Sequence, residues 1–113
     1  MPSLSLRINL DPEGRIGPGK IELLEQIAAF GSISAGARRM SMSYKRAWEL
    51  VEEMNRLFGK PVVAAKVGGR KGGGAELTAV GLAVVSRFRA IERAAGSAAE
   101  PHIRALQAEI EAA

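Results

Sequence analysis

Apolar residues alternate with polar residues at the start of the chain and then recur at helical spacing. Residues 4–10 alternate strictly, which predicts a strand with one buried face that ends at the turn-forming residues 11–14. From Pro18 to Phe30 the apolar positions follow a helical period, and Gly31 comes next as a stop signal. The chain therefore begins with a strand, a turn and an amphipathic helix.

Two more helices are predicted on either side of a short turn. Ser32 or Ser34 can cap a short helix that runs to about Met40, and Ser43 can cap the next one after the break at residues 41–43. On a helical wheel this next helix has an apolar arc and an opposite charged arc, with Tyr44 and Trp48 at the edge of the apolar arc. We interpret both aromatic residues as packing at the border of the core, with stacking on bases as the alternative. Tyr44, near the start of the helix, is also within reach of a phosphate.

The second half of the chain predicts a hairpin and two helices. Residues 62–67 are β-prone, residues 68–74 are basic and rich in glycine, and residues 75–78 can return as a partner strand. Thr78 can cap a helix that Gly96-Ser97 interrupts, and Pro101 suits the first turn of a last helix. The predicted fold class is mostly α with a small β-hairpin wing, divided into a domain at 1–95 and a C-terminal helix at 97–113.

Composition excludes several classes of protein. The chain has 113 residues, 47% of them apolar, which suits one domain with one core. It has no Cys and a single histidine, His102, so thiolate metal sites, disulfides and a Cys nucleophile are excluded. We expect no catalytic residue, no metal and no cofactor. The sequence also lacks a signal peptide and an apolar stretch of the ~20 residues that a bilayer requires, so we expect a soluble cytoplasmic protein with no membrane partner.

The net charge of +4 is concentrated in the middle third of the chain. Residues 38–71 hold nine basic groups against three glutamates, whereas the regions before and after are each slightly acidic. Such a distribution is typical of a solvated basic surface or of a surface that binds an anionic partner. The local pattern favours the second interpretation.

Two short helices around a three-residue turn match the layout of a helix-turn-helix, whose second helix enters the major groove of DNA. The exposed start of that helix, with the end of the helix before it, supplies the candidate DNA-binding residues Arg38, Arg39, Ser43, Tyr44, Lys45, Arg46 and Glu49. Ser41 occupies a turn position that commonly holds Gly, which predicts a strained backbone. An ordinary helical hairpin is the alternative for this segment.

The glycine-rich loop adds a second basic feature. Arg70 and Lys71 lie at the predicted tip of the hairpin, directly after the candidate recognition helix, where a winged domain contacts phosphates. A merely solvated loop is the alternative. Residues 14–20 also fit the P-loop pattern G-x-x-x-x-G-K, but Ile21 replaces the hydroxyl residue that would hold Mg²⁺. A nucleotide-binding enzyme is therefore a distant third hypothesis.

A longer pattern of residues points to a known family. The stretch GSISAGARRMSMSYKRAWELVEEMN (31–55), followed by Phe58, by Pro61-Val62-Val63 and by GGRKGGGAELTAVG (68–81), resembles the N-terminal DNA-binding domain of ModE-type molybdate-responsive transcription regulators. The resemblance implies a winged helix, operator binding and homodimerisation through terminal helices. It also implies that residues 43–46 face DNA and that Arg70 and Lys71 form the wing tip. Full-length members carry C-terminal molybdate-binding modules, and we expect here a stand-alone form without them.

The helices after the hairpin carry apolar stripes that a small core would leave uncovered. We expect these residues to form a dimer interface: Leu82, Val85, Phe88, Ile103, Leu106 and Ile110. The alternative is that the last helix folds back on its own domain. Taken together, the sequence predicts a homodimeric transcription regulator that binds specific double-stranded DNA, with a link to molybdate metabolism implied by the resemblance and an unknown effector. The alternative is a protein–protein interaction module on the same scaffold, with no specific DNA target.

Overall fold

A computed structural model describes residues 1–66 and 73–112. Over these residues the elements are, in order, β1 (Ile8–Leu10), β2 (Gly14–Ile16), α1 (Pro18–Phe30), α2 (Ile33–Arg39), α3 (Tyr44–Phe58), β3 (Val63–Lys66), β4 (Gly74–Leu77) and α4 (Ala79–Ala112). Each strand pair is antiparallel, with Asn9 opposite Arg15 in the first pair and Ala65 opposite Ala75 in the second. The predicted class, mostly helical with a small hairpin wing, is confirmed.

The core lies where the first three helices meet the second hairpin and the start of α4. Its fully buried side chains come from α1, α3, the base of β3 and α4, and the largest of them are Ile21, Leu23, Leu24, Ile27, Met54, Val62 and Phe88. The spacing of the four α1 residues explains why this helix is predictable from sequence, because one face of it is apolar. Gly31 ends α1 with φ 79°, a left-handed conformation that glycine adopts without a steric penalty.

The start of the chain differs from the predicted single strand. Only Ile8–Leu10 is a strand, and it pairs with Gly14–Ile16 to form a hairpin instead of ending at the turn. Ile16 is buried, Ile8 is half-buried and Leu4 is exposed. Ahead of the strand, Leu4 lines a groove beside Ile103 of α4 instead of joining the core.

The predicted break at Gly96-Ser97 is wrong, because α4 runs without interruption through Ala112 and holds Pro101 in its interior. A proline inside a helix removes one hydrogen bond and costs ~3 kcal/mol. The surrounding segment is rich in alanine, the strongest helix former, at positions 94, 95, 98 and 99. Gly96 has no atom within 4 Å of where a Cβ would lie, so nothing there requires a turn.

Two polar arrangements fix α4 to the rest of the domain. Thr78 caps the helix by accepting from Gly81 N at 3.1 Å and donates to Pro61 O at 2.6 Å. Farther along, the guanidinium of Arg89 donates to both carboxylate oxygens of Glu25 on α1, at 2.6 and 3.1 Å. The Glu25 carboxylate, with that of Glu92, raises the pKa of Arg89 above its ordinary value. This ion pair therefore joins the middle of α4 to α1.

The far part of α4 extends away from the core. Phe88 is the last buried residue of this helix, and 24 helical residues follow it, or about 36 Å at 1.5 Å per residue. The chain measures 58 × 30 × 21 Å, with a radius of gyration of 17.0 Å. A compact chain of this length would have about 13 Å. The protruding helix accounts for the difference.

Candidate nucleic-acid interface

A helix-turn-helix is formed by α2, the residues 40–43 and α3. Ser32 caps α2 by accepting from Ala35 N at 2.9 Å, and Ser43 caps α3 by accepting from Arg46 N at 3.0 Å. These hydroxyls satisfy amide groups that have no partner within the helix. Both caps confirm what the serine positions predict, with Ser32 rather than Ser34 at the start of α2.

The turn between the two helices is tight. Ser41 has φ 54°, so the predicted backbone strain at this position is confirmed. Met42 N donates to Ala37 O at 3.0 Å, which closes the turn over the end of α2. Gly36 lies so close to α1 that a Cβ there would be 2.7 Å from Cγ1 of Ile27. The close contact with α1 and the short turn hold α3 at a fixed angle to the core.

The outward face of α3 carries the polar residues that the sequence predicts. Ser43, Tyr44, Lys45 and Arg46 are exposed and Glu49 is half-buried, whereas Ala47, Leu50, Val51 and Met54 are buried on the opposite side. Tyr44 and Trp48 are 55% and 48% exposed, so they are surface residues more than border residues of the core. The first turns of α3 therefore present basic, hydroxyl and aromatic groups to solvent.

A groove of about 370 Å³ runs between this helix and the β3–β4 hairpin, which we call the wing. Tyr44, Trp48 and Asn55 line the helix side, and the wing residues Val63, Ala65 and Gly74 line the other side. The proposed wing-tip residues Arg70 and Lys71 lie outside the described residues.

Asn55 sets the position of the wing relative to α3, a role that sequence reasoning missed. Its Oδ1 accepts from Val62 N at 2.8 Å, and its Nδ2 donates to Glu52 at 3.1 Å. Across the wing, Ala75 N donates to Gly31 O at 2.7 Å, which joins β4 to the end of α1. An asparagine on the polar side of a helix gives no signal of such a role, because its partner lies seven residues away in a different element.

The structure places Arg38 and Arg39 at the exposed end of α2, apart from the residues at the start of α3. Arg38 donates to Ser34 Oγ at 3.0 Å, and the guanidinium of Arg39 lies 4.7 Å from the centre of the Phe30 ring. Cations in the last turn of a helix also interact favourably with the helix dipole. Neither arginine lines the groove beside the wing.

The six residues predicted for a dimer interface do not form one exposed set. Leu82, Leu106 and Ile110 are 59%, 68% and 70% exposed, and Val85 and Ile103 are half-buried. Phe88 is 2% exposed and packs in the core of its own domain. Its assignment to the interface is corrected for that reason, because a side chain inside the core cannot contact a partner.

Other kinds of site are missing from the described part of the chain. Among residues 1–66 and 73–112, no group of three or more His, Cys, Asp or Glu side chains could hold a metal ion. No helix of these residues is both long enough and apolar enough to cross a bilayer.

The arrangement of a helix-turn-helix followed by a β-hairpin and a further helix defines a winged-helix domain. Solved structures have the same fold. A CbnR DNA-binding domain in complex with DNA matches 77% of this chain and 94% of its own, with a TM-score of 0.60 and 22% identity. Full-length CbnR with its target DNA matches 74% of this chain and 27% of its own, with a TM-score of 0.55. At this level of identity the likeness establishes the fold alone.

Sequence comparison finds relatives with a higher identity to this chain than these solved structures have. The chain is 45% identical over 80 residues to the molybdenum-pterin-binding protein MopA of Rhodobacter capsulatus, a match that covers 71% of this chain and 30% of MopA. It is 40% identical over 88 residues to the molybdenum transport protein ModE of Azotobacter vinelandii, covering 76% and 33%. The DNA-binding transcriptional dual regulator ModE of Escherichia coli K12 is 44% identical over 71 residues, covering 63% and 27%.

These matches show that most of the chain is homologous to part of the MopA and ModE proteins. No protein-family model matches the chain. The chain spans only about a third of the length of each of these relatives.

Proposed function

We propose that this chain binds specific sequences of double-stranded DNA and regulates transcription, without enzymatic activity. The observation that carries the proposal is the capped start of α3, where Ser43, Lys45 and Arg46 are exposed on a helix that the turn and the wing hold in place. Side chains at the start of a recognition helix reach base edges, and a paired Arg–guanine contact contributes ~1–3 kcal/mol of discrimination. The E. coli relative is a DNA-binding regulator, which supports the same function.

Phosphate contacts supply most of the affinity in this proposal. Each contact releases counterions, so log affinity falls with log salt by about 0.9 for every phosphate neutralised. Replacing both Arg70 and Lys71 by Ala at the wing should make this slope shallower by about 1.8 and weaken binding to all duplexes alike. Fluorescence anisotropy of a labelled duplex across a salt series measures the slope. An unchanged slope in the double variant would remove the wing tip from the interface.

The protruding part of α4 supports a homodimer as the functional unit. Leu106 and Ile110 are highly exposed, and an apolar groove of about 380 Å³ lies farther back, between the β1–β2 hairpin, α3 and α4. Exposed apolar side chains on a protruding helix favour a protein interface, and a symmetric partner is the commonest way to cover them. Residues 97–113 act as the dimerisation element in this proposal.

Sedimentation at micromolar concentration tests the dimer. Wild-type protein should sediment at twice the mass of the 12.0 kDa chain, and replacing Leu106 and Ile110 by Glu should yield monomers with an intact helical spectrum. A two-fold dimer would bind half-sites separated by whole turns of ~34–36 Å. A wild-type monomer that binds a single half-site would contradict both the dimer and the palindromic operator.

The same exposed apolar surface is what favours the second candidate function, an interaction module that binds a different protein and has no DNA target. A competition assay with duplex DNA distinguishes the two functions. A DNA-binding regulator should bind its duplex in a salt-dependent way, and competitor DNA of unrelated sequence should fail to displace it. An interaction module should show no such binding.

We further propose that the regulated genes serve molybdate metabolism, because the relatives include a molybdenum-pterin-binding protein and a molybdenum transport protein. As a DNA-binding regulator, the chain would act in the cytoplasm, where bacterial relatives meet DNA. Selection of bound fragments from genomic DNA tests this link.

A further inference from the structure

A second groove runs along α3 on the side away from the wing. It is lined by Arg7 before β1, by Arg15 of β2, by Lys20 in the first turn of α1 and by Arg46 of α3. Glu53 of α3 is the carboxylate in this lining. Four basic side chains from four segments of the chain thus meet one acidic side chain. We call this the basic groove.

The two grooves lie on opposite flanks of the same helix. At about 100° per residue, the residues that face the wing (Tyr44, Trp48, Asn55) are centred about 170° from those that face the basic groove (Arg46, Leu50, Glu53). Lys45 and Glu49 lie about midway between these flanks, on the face opposite the buried residues. A duplex that receives the outward face of α3 in its major groove presents one phosphate strand toward each flank.

The arginines of the basic groove are available for such a contact. Within residues 1–66 and 73–112, no ion pair involves Arg7, Arg15 or Arg46, whereas Arg89 and Arg104 on α4 are both paired with glutamates. Lys20 is already engaged, since its Nζ donates to Arg15 O at 2.8 Å and lies 3.3 Å from Glu53. That pair neutralises the one acidic side chain of the groove. The three arginines are left exposed to solvent.

The local backbone holds Arg7 in position. A Cβ on Gly17 would lie 3.2 Å from Cγ of Arg7, so the stem of Arg7 lies across this glycine. Arg15 is carried by the pairing of β1 with β2, opposite Asn9. The β1–β2 hairpin and the residue before it therefore place two cations beside the recognition helix.

We propose that the β1–β2 hairpin is a second phosphate-binding element, in which Arg7 and Arg15 contact the DNA backbone on the flank of α3 opposite the wing. The inference rests on the proposed DNA binding and adds a second backbone contact to it, so that the wing and the β1–β2 hairpin contact DNA on opposite flanks of α3. Contacts to the backbone carry no base information. The hairpin therefore adds affinity and fixes the orientation of α3 without changing which sequence is preferred.

The test compares two double variants with the same change in charge. In Arg7→Gln/Arg15→Gln, the slope of log affinity against log salt should become shallower by about 1.8, equally for specific and unrelated duplexes. The control, Lys60→Gln/Arg93→Gln, alters two exposed cations that line neither groove beside α3 and should keep the wild-type slope. Matching circular dichroism spectra and melting temperatures confirm that both variants fold.

The outcomes separate the two claims. If the wild type shows no salt-dependent DNA binding, the proposed function fails and this inference fails with it. If the wild type binds and the hairpin variant keeps its slope, the inference alone is overturned.

Site-directed cleavage of the DNA gives a second test. The chain has no natural cysteine, so a cysteine introduced at one position is the only site for attaching a reagent. An iron chelate attached at Arg15→Cys should cleave the DNA backbone on one flank of the site, and cleavage no stronger than from Arg93→Cys would overturn the proposal.

Discussion

Gly81 marks the closest approach of α4 to the base of the wing, and Gly81→Ala should destabilise the protein. A Cβ at this position would lie 2.1 Å from the carbonyl oxygen of Val62 and 3.1 Å from its carbonyl carbon. Ordinary contact with that oxygen needs a shift of more than about 1 Å. Val62 cannot move alone, because Thr78 N donates to its oxygen at 3.0 Å and Asn55 accepts from its nitrogen at 2.8 Å.

The expected magnitude is the difference of two effects. Alanine gains ~1 kcal/mol over glycine inside a helix, while forcing an extra carbon into a packed site costs ~1–3 kcal/mol. The obstacle is the backbone of Val62, which hydrogen bonds hold on both sides, so the packing cost should be about 3 kcal/mol, the upper end of this range. The net loss in the free energy of unfolding is then about 2 kcal/mol. For a chain near 100 residues this lowers the melting temperature by roughly 8 °C or more.

Gly96→Ala in the same helix is the matched control. No atom lies within 4 Å of its Cβ position, so alanine should gain stability there, by ~0.5–1 kcal/mol. Both variants are compared with the wild type in thermal melts followed by circular dichroism, at one protomer concentration because the melting temperature of a dimer depends on concentration. A Gly81→Ala protein as stable as the wild type would refute the packing argument.

Three further substitutions test other parts of the account. Ser41→Gly should raise stability by ~1 kcal/mol in urea unfolding, because glycine adopts a positive φ without the cost that serine bears, and a loss would show that the turn is unstrained. Asn55→Ala should cost ~1–2 kcal/mol in the same assay, since the half-buried N–H of Val62 loses its acceptor, and should weaken DNA binding if the position of the wing matters. Arg89→Met should lower the free energy of unfolding by about 1 kcal/mol. Arg104→Met breaks a more exposed ion pair and should have a smaller effect in the same assay; equal effects would contradict the assignment.

The middle of the fold could be predicted because its signals are local. The apolar period from Pro18 to Phe30, the capping serines 32 and 43 and the glycine at 31 each act within one or two turns of chain. The same holds for the strained turn at Ser41. Local signals of this kind predict the two helices and the turn, whereas the angle of α3 to the core depends on the close contact of Gly36 with α1.

Features that depend on distant contacts could not be predicted. Summed along the chain, residues 1–37 are slightly acidic, and nothing in that sum shows that Arg7, Arg15 and Lys20 meet Arg46 in one groove. Phe88 has the spacing of an interface stripe but is buried in the core, on the side where Ile16 of β2 and Phe58 of α3 lie near it. The continuity of α4 through Gly96 and Pro101 was likewise missed, because each of these residues taken alone is a signal for the end of a helix.

Selection of binding sites from a pool of random duplexes tests the central claim most directly, that the start of α3 reads base edges. Wild-type protein should enrich one shared sequence, and Arg46→Ala should relax preference at defined positions of it while the rest is kept. The hairpin variant Arg7→Gln/Arg15→Gln should return the wild-type sequence with weaker binding. No enriched sequence from the wild type, or an identical consensus from Arg46→Ala and from variants at Ser43 and Lys45, would contradict the account.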